Sequence, residues 1–96
     1  MAGEVIEVSD CPEKSRYEIT INGAVVGFCS YRDTGEVYLL PHAEVDPSVG
    51  GRGIGTMLAR QTLDDLPRRD ITVVPLCPFI ADFIKKNPEY QNLVGR

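Results

Sequence analysis

The chain has 96 residues, 43% of them hydrophobic and 25% charged, with a net charge of −4. That length suits one domain, residues 1–96, with a thin two-layer core burying roughly 60–65% of the unfolded surface. The acidic balance argues against a nucleic-acid binder, which neutralises phosphates with Lys and Arg, and no apolar run approaches the roughly 20 residues that cross a bilayer.

From Val5 to Val45 the chain reads as strands joined by tight turns. Met1-Ala2-Gly3-Glu4 lacks the basic region and apolar core of a secretory signal, so a cytoplasmic location is expected. Tyr17 to Ile21 alternates apolar and polar, Asn22-Gly23 is a strong hairpin signal, and Ala24 to Tyr31 forms a second apolar stretch. Asp33-Thr34-Gly35 marks the next turn. Glu36 to Val45 then reads as one strand, with Val37 and Leu39 on one face and Tyr38 and Leu40 on the other. Apolar residues on both faces predict a central strand. Pro41 removes a ladder donor and predicts a bulge, or a splaying that would admit a ligand.

Val49-Gly50-Gly51-Arg52-Gly53-Ile54-Gly55-Thr56 follows, between this strand and a helix. The glycines let the backbone approach a ligand, and the helix start adds unpaired N–H donors and partial positive charge, so the segment reads as an anion cradle. It also reads as a tight strand-to-helix turn. Thr56 stands where a Walker loop carries Lys, and it also fills the place of the third glycine of a dinucleotide fingerprint, so neither pattern is met.

Ile54, Met57, Leu58, Thr62 and Leu66 recur at helical spacing and predict an amphipathic helix ending at or before Pro67, with Arg60, Gln61 and Asp64 facing water. Ile71 to Val74 reads as a short strand, and Pro78 to Lys86 as a helix ended by Asn87-Pro88. The order β-β-β-β-α-β-α predicts an α+β fold with a mixed, mostly antiparallel sheet and one parallel addition. Cys11, Cys29 and Cys77 are far apart and suit reduced thiols. With His42 the single histidine and no Cys-x-x-Cys pair, no metal site is expected. A serine hydrolase is disfavoured because no Gly-x-Ser-x-Gly elbow is present.

Four short motifs occur in order: His42-Ala43-Glu44-Val45, Gly51-Arg52-Gly53-Ile54-Gly55, Cys77-Pro78-Phe79-Ile80 and Asn87-Pro88-Glu89-Tyr90. On these the chain resembles the Gcn5-related N-acetyltransferases, in their minimal single-domain branch, from about Ser15 to Val94. The resemblance implies that Gly50, Gly51, Arg52, Gly53, Ile54, Gly55 and Thr56 hold the pyrophosphate of acetyl-coenzyme A, with Pro78 also beside the cofactor. It places the pantetheine arm between the strand ending at Val45 and the strand Ile71 to Val74, against the backbone of Ala43 to Val45. Two departures stand out. Gly50 replaces the Gln or Arg that usually opens the loop, and Phe83 stands near the place where larger relatives carry a proton-donating tyrosine. Tyr90 lies beyond Pro88 and reads equally as a core anchor of the tail.

Acetyl transfer needs a deprotonated amine, a stabilised oxyanion and a proton route. His42 and Glu44 share one face of an extended strand, so either can relay a proton or serve as a polar strand-end residue. Cys77 precedes the second helix, whose N-terminus favours a thiolate, so it reads as an acetyl-accepting nucleophile or as a small packing residue. The acceptor is expected to be an amine, a protein lysine or another cationic group, steered by the acidic surface. The expected state is a monomer or weak dimer. A non-catalytic coenzyme A sensor or interaction module is the alternative of another class.

Overall fold

The computed structural model describes residues 3–50, 53–66 and 72–94. The alternating segments at the start form an antiparallel meander of β1 (Ile6–Cys11), β2 (Arg16–Ile21) and β3 (Ala24–Ser30). Asn22 and Gly23 close the β2–β3 hairpin with φ of 51° and 86°, the left-handed pair that a two-residue hairpin turn demands. Tyr17, Ile19 and Cys29 are buried on one face of this meander. On its other face Glu18 is also buried, with 8% of its side chain exposed, beneath Arg16 at 2.7 Å and Lys14 at 3.6 Å.

The single strand expected over Glu36 to Val45 is divided in two. β4 (Arg32–Asp33) pairs antiparallel with β5 (Val37–Leu39), whereas β6 (Ala43–Val45) pairs antiparallel with β3. The change of partner falls across Pro41. Leu40 still donates to the Val74 carbonyl and accepts from the Cys77 N–H, each at 3.0 Å, while the His42 carbonyl accepts from the Ser30 N–H at 2.8 Å. Proline has no N–H to carry a ladder through this point. The result is two sheets, of order β1-β2-β3-β6 and β4-β5-β7, where β7 (Thr72–Val74) lies parallel to the central β5. Ile71, expected at the start of β7, lies outside the described residues.

Helix α1 (Ile54–Asp64) packs on β1, β2, β3 and β6. Its inner face is Ile54, Leu58, Ala59, Thr62 and Leu63. Met57, expected on that stripe, is 40% exposed, because the buried arc runs from Ile54 through Leu58 and Thr62 to Leu63 and Met57 falls about 60° beyond its Ile54 end at 3.6 residues per turn. Helix α2 (Pro78–Lys86) buries Ile80, Phe83 and Ile84. A fully buried Leu58 or Ile80 contributes roughly 1.5–3 kcal/mol each. Tyr90 is buried, its hydroxyl donates to Asp64 Oδ1 at 2.6 Å, and its ring lies 5.6 Å from that of Phe83. It therefore pins the tail to both helices. The architecture is the α+β class expected, with β5–β7 as the parallel strand pairing.

Candidate functional site

The divided strand leaves β6 as the outer strand of its sheet. Antiparallel residues alternate between those bonded to the neighbour and those facing away. Because the His42 carbonyl and the Asp46 N–H bond to β3, at 2.8 and 2.7 Å, Glu44 shares that side, and the N–H and C=O groups of Ala43 and Val45 face the open edge. This edge borders a cavity of about 580 Å³, a size suited to a small organic ligand.

The opposite wall is the start of α1. Gly53 caps the helix with φ 78°, a left-handed conformation that a side chain would strain. Gly53 provides no side-chain cap, so the first-turn N–H groups of Ile54, Gly55 and Thr56 lack intrahelical partners. Those residues line the cavity together with Val49 and Gly50. A Cβ on Gly55 would meet Phe79 Cζ at 2.8 Å. The Phe79 ring therefore lies flush on the helix start and forms part of the cavity wall.

The expected positions divide as follows. Ala43, Glu44, Val45, Gly50, Gly53, Ile54, Gly55 and Thr56 line this one cavity. Gly51 and Arg52 lie outside the described residues. Pro78 does not line it: it is exposed at the first position of α2, and the next residue, Phe79, occupies that wall. Val49 and Phe79 are the additions. Phe79 belongs to one of the four motifs, but its contact with Gly55 joins two helices and has no local signal.

His42 and Glu44 share a face, as expected, and their side chains meet, Nε2 to Oε1, at 3.1 Å with 59% and 65% exposed. The Phe28 ring lies 5.7 Å from the imidazole. Neither Cys77 nor His42 is among the described residues that line this cavity. Cys77 caps α2 and is 5% exposed, with its N–H bonded to Leu40. Burial, with the neighbouring Cys77, pushes the Cys29 thiol up to about 12, against a smaller opposing effect of the Thr62 hydroxyl. The Asp46 carboxyl is held below its usual range by the N–H and hydroxyl of Ser48, which fixes the turn leading into the glycine segment. Among the described residues no three His, Cys, Asp or Glu side chains gather as metal ligands.

An open strand edge and a glycine-capped helix start line one cavity, to which no described residue of β7 contributes. Residues 16–93 match the profile described as GCN5-related N-acetyl-transferase. The chain belongs to the GCN5-related N-acetyltransferase family. The family is one of acyltransferases and generally uses acetyl-coenzyme A. Protein NATD1 of Bos taurus is a similar chain, 39% identical over 54 residues, which are 56% of this chain and 48% of the bovine protein. The match thus spans about half the length of that relative.

Proposed function

We propose that this chain is an acetyl-coenzyme A-dependent N-acetyltransferase acting on an exposed amine such as a protein lysine. The observation carrying this reading is that the open edge of β6 and the start of α1, where Gly53 offers no capping side chain, line the same cavity. The first suits an amide-bearing chain, and the second suits phosphate. Ala43 and Val45 would hold the pantetheine amides through their backbone. Gly53, Ile54, Gly55 and Thr56 would hold the pyrophosphate, and Phe79 would cover one side. When bound, the cofactor supplies the acetyl thioester.

The chain's own contribution is to position the amine and remove its proton. The His42–Glu44 pair is exposed and hydrogen-bonded at 3.1 Å, so the carboxylate orients the ring while the ring takes a proton from an incoming ammonium through water. Exposed Glu44 and Asp46 favour a cationic acceptor. A second reading has Cys77 accept the acetyl group first; its place at the N-terminus of α2 supports that reading, and its burial requires the sheets to part.

The experiment is mass spectrometry after incubation with acetyl-coenzyme A, under native and denaturing conditions, beside turnover assays with a lysine peptide. A native complex, no adduct on denaturation, and turnover lost in His42→Ala or Glu44→Gln at unchanged coenzyme A affinity support direct transfer. An adduct abolished by Cys77→Ser selects the cysteine route. Binding without turnover makes the chain a coenzyme A sensor, and absence of binding overturns the proposal.

A further inference from the structure

The face of the meander turned away from α1 carries a continuous run of side-chain contacts. Two rungs cross it: Glu18 pairs with Phe28, and Phe28 pairs with Glu44. Arg16 and His42 lie two residues from Glu18 and Glu44, on the same face. Phe28 on β3 therefore stands between the Arg16–Glu18 pair of β2 and the His42–Glu44 pair at β6. Its ring meets a member of each. The Arg16 guanidinium lies over it, 4.5 Å from the centroid, and the His42 ring lies 5.7 Å away, tilted by 51°. These are the distances of attractive cation–aromatic and tilted aromatic contacts.

The two sides of Phe28 differ in rigidity. On one side Arg16 donates to Glu18 Oε2 through Nε at 2.9 Å and approaches the same oxygen through Nη2 at 2.7 Å. The Glu18 side chain is buried and also accepts from the Cys11 thiol at 3.3 Å, so this pair has little freedom. On the other side His42 and Glu44 are open to water, where an ion pair by itself holds two side chains weakly. The His42 backbone is fixed, because its carbonyl accepts from both the N–H and the hydroxyl of Ser30, at 2.8 and 2.9 Å. Its ring is held by Glu44 at Nε2 and by Phe28.

We propose that Phe28 is a positioning residue, whose ring, itself anchored by Arg16 and Glu18, sets the His42 imidazole in the rotamer that meets Glu44 beside the cavity. Glu44 lines that cavity, and Phe28 is not among the described residues that do, so Phe28 acts through His42. This inference rests on the acetyltransferase reading above, in which His42 takes the proton of the acceptor amine. Without the aromatic ring, an exposed imidazole samples its other staggered rotamers, and only the fraction that still faces Glu44 serves as base.

The test begins with the unmodified chain. Because His42 is the single histidine, its ring protons are assigned directly by NMR, and Overhauser contacts between them and the Phe28 ring are expected. Phe28→Leu should remove these contacts and lower kcat on a lysine peptide roughly tenfold, part of the about 100-fold or more that a positioned base contributes. KM and coenzyme A affinity should stay within about twofold of the parent. Phe28→Tyr keeps the ring and should recover the rate. In a His42→Ala background, Phe28→Leu should cost nothing further. Absence of the Overhauser contacts overturns the proposal, as does a loss that persists at full size in His42→Ala or that falls on KM and coenzyme A affinity in place of kcat. A parent chain that binds coenzyme A without turnover overturns the acetyltransferase reading and this role with it, whereas turnover lost in His42→Ala but kept in Phe28→Leu overturns this role alone.

Discussion

Gly27 holds β3 and β6 at close approach, and Gly27→Ala measures how rigidly. A Cβ there would lie 2.8 Å from the Glu44 carbonyl oxygen, 3.1 Å from Ile19 Cγ2 and 3.2 Å from Val45 Cγ2. The first of these is backbone of the paired strand, which cannot rotate aside, so β6 must move outward by about half an ångström to reach ordinary contact. Alanine recovers roughly 0.5–1 kcal/mol of chain entropy in a strand, while overpacking a filled core costs about 1–3 kcal/mol. The clash wins, and the expected net loss is about 1–2 kcal/mol. Because β6 forms the cavity edge, the same shift should weaken coenzyme A binding by roughly tenfold. Urea denaturation gives the first quantity and isothermal calorimetry the second. A variant as stable as the parent, with unchanged affinity, would refute the close approach of β3 and β6.

Gly53→Ala tests backbone strain without a clash, since nothing lies within 4 Å of a Cβ there but φ is 78°; the expected cost is about 1–2 kcal/mol, read by the same urea titration. The Glu18 carboxyl is held below its ordinary value first by its hydrogen bond to Arg16 and next by the Cys11 thiol. Its contribution is therefore complete above about pH 4.5, the ordinary carboxylate value, and is lost as pH falls through the depressed one; Glu18→Gln should flatten the acid limb of stability against pH. Cys29 behaves oppositely. Its thiol is raised to about 12 from an ordinary 9.0, so its contribution is present below pH 9 and fades above it, and peptide mapping after iodoacetamide at pH 8 should find Cys29 unmodified in the native state while half-buried Cys11 reacts.

Features set by chemistry within a few residues were readable in advance. Asn22-Gly23 declares its turn because few other pairs accept two positive φ angles, and Pro41 declares a broken ladder because it lacks a donor. The sheet that each half of the strand joins was not readable, since that depends on β3 and β7 competing for its edges. The cavity wall divides along the same line. The glycine segment is local, whereas Phe79 reaches Gly55 only when α1 and α2 come together. Helical spacing assigned Met57 to the core because periodicity counts apolar residues without locating the centre of the buried arc, which falls at Thr62, a polar residue. Cys77 was readable as a helix cap, but its burial beneath Leu40 follows from the β5–β7 pairing.

A continuous sheet passes a pull on one strand to the next through its rungs, and here that transmission stops at Pro41. A molecule filling the cavity between β6 and the starts of α1 and α2 would act as a fastener. By mass action, a ligand at a hundred times its dissociation constant adds about 2.7 kcal/mol to folding, and one seated there would concentrate that gain at the open edge of β6. The loaded chain should then outlast the empty one under proteolysis, which ties the lifetime of the protein to the supply of whatever fills the cavity.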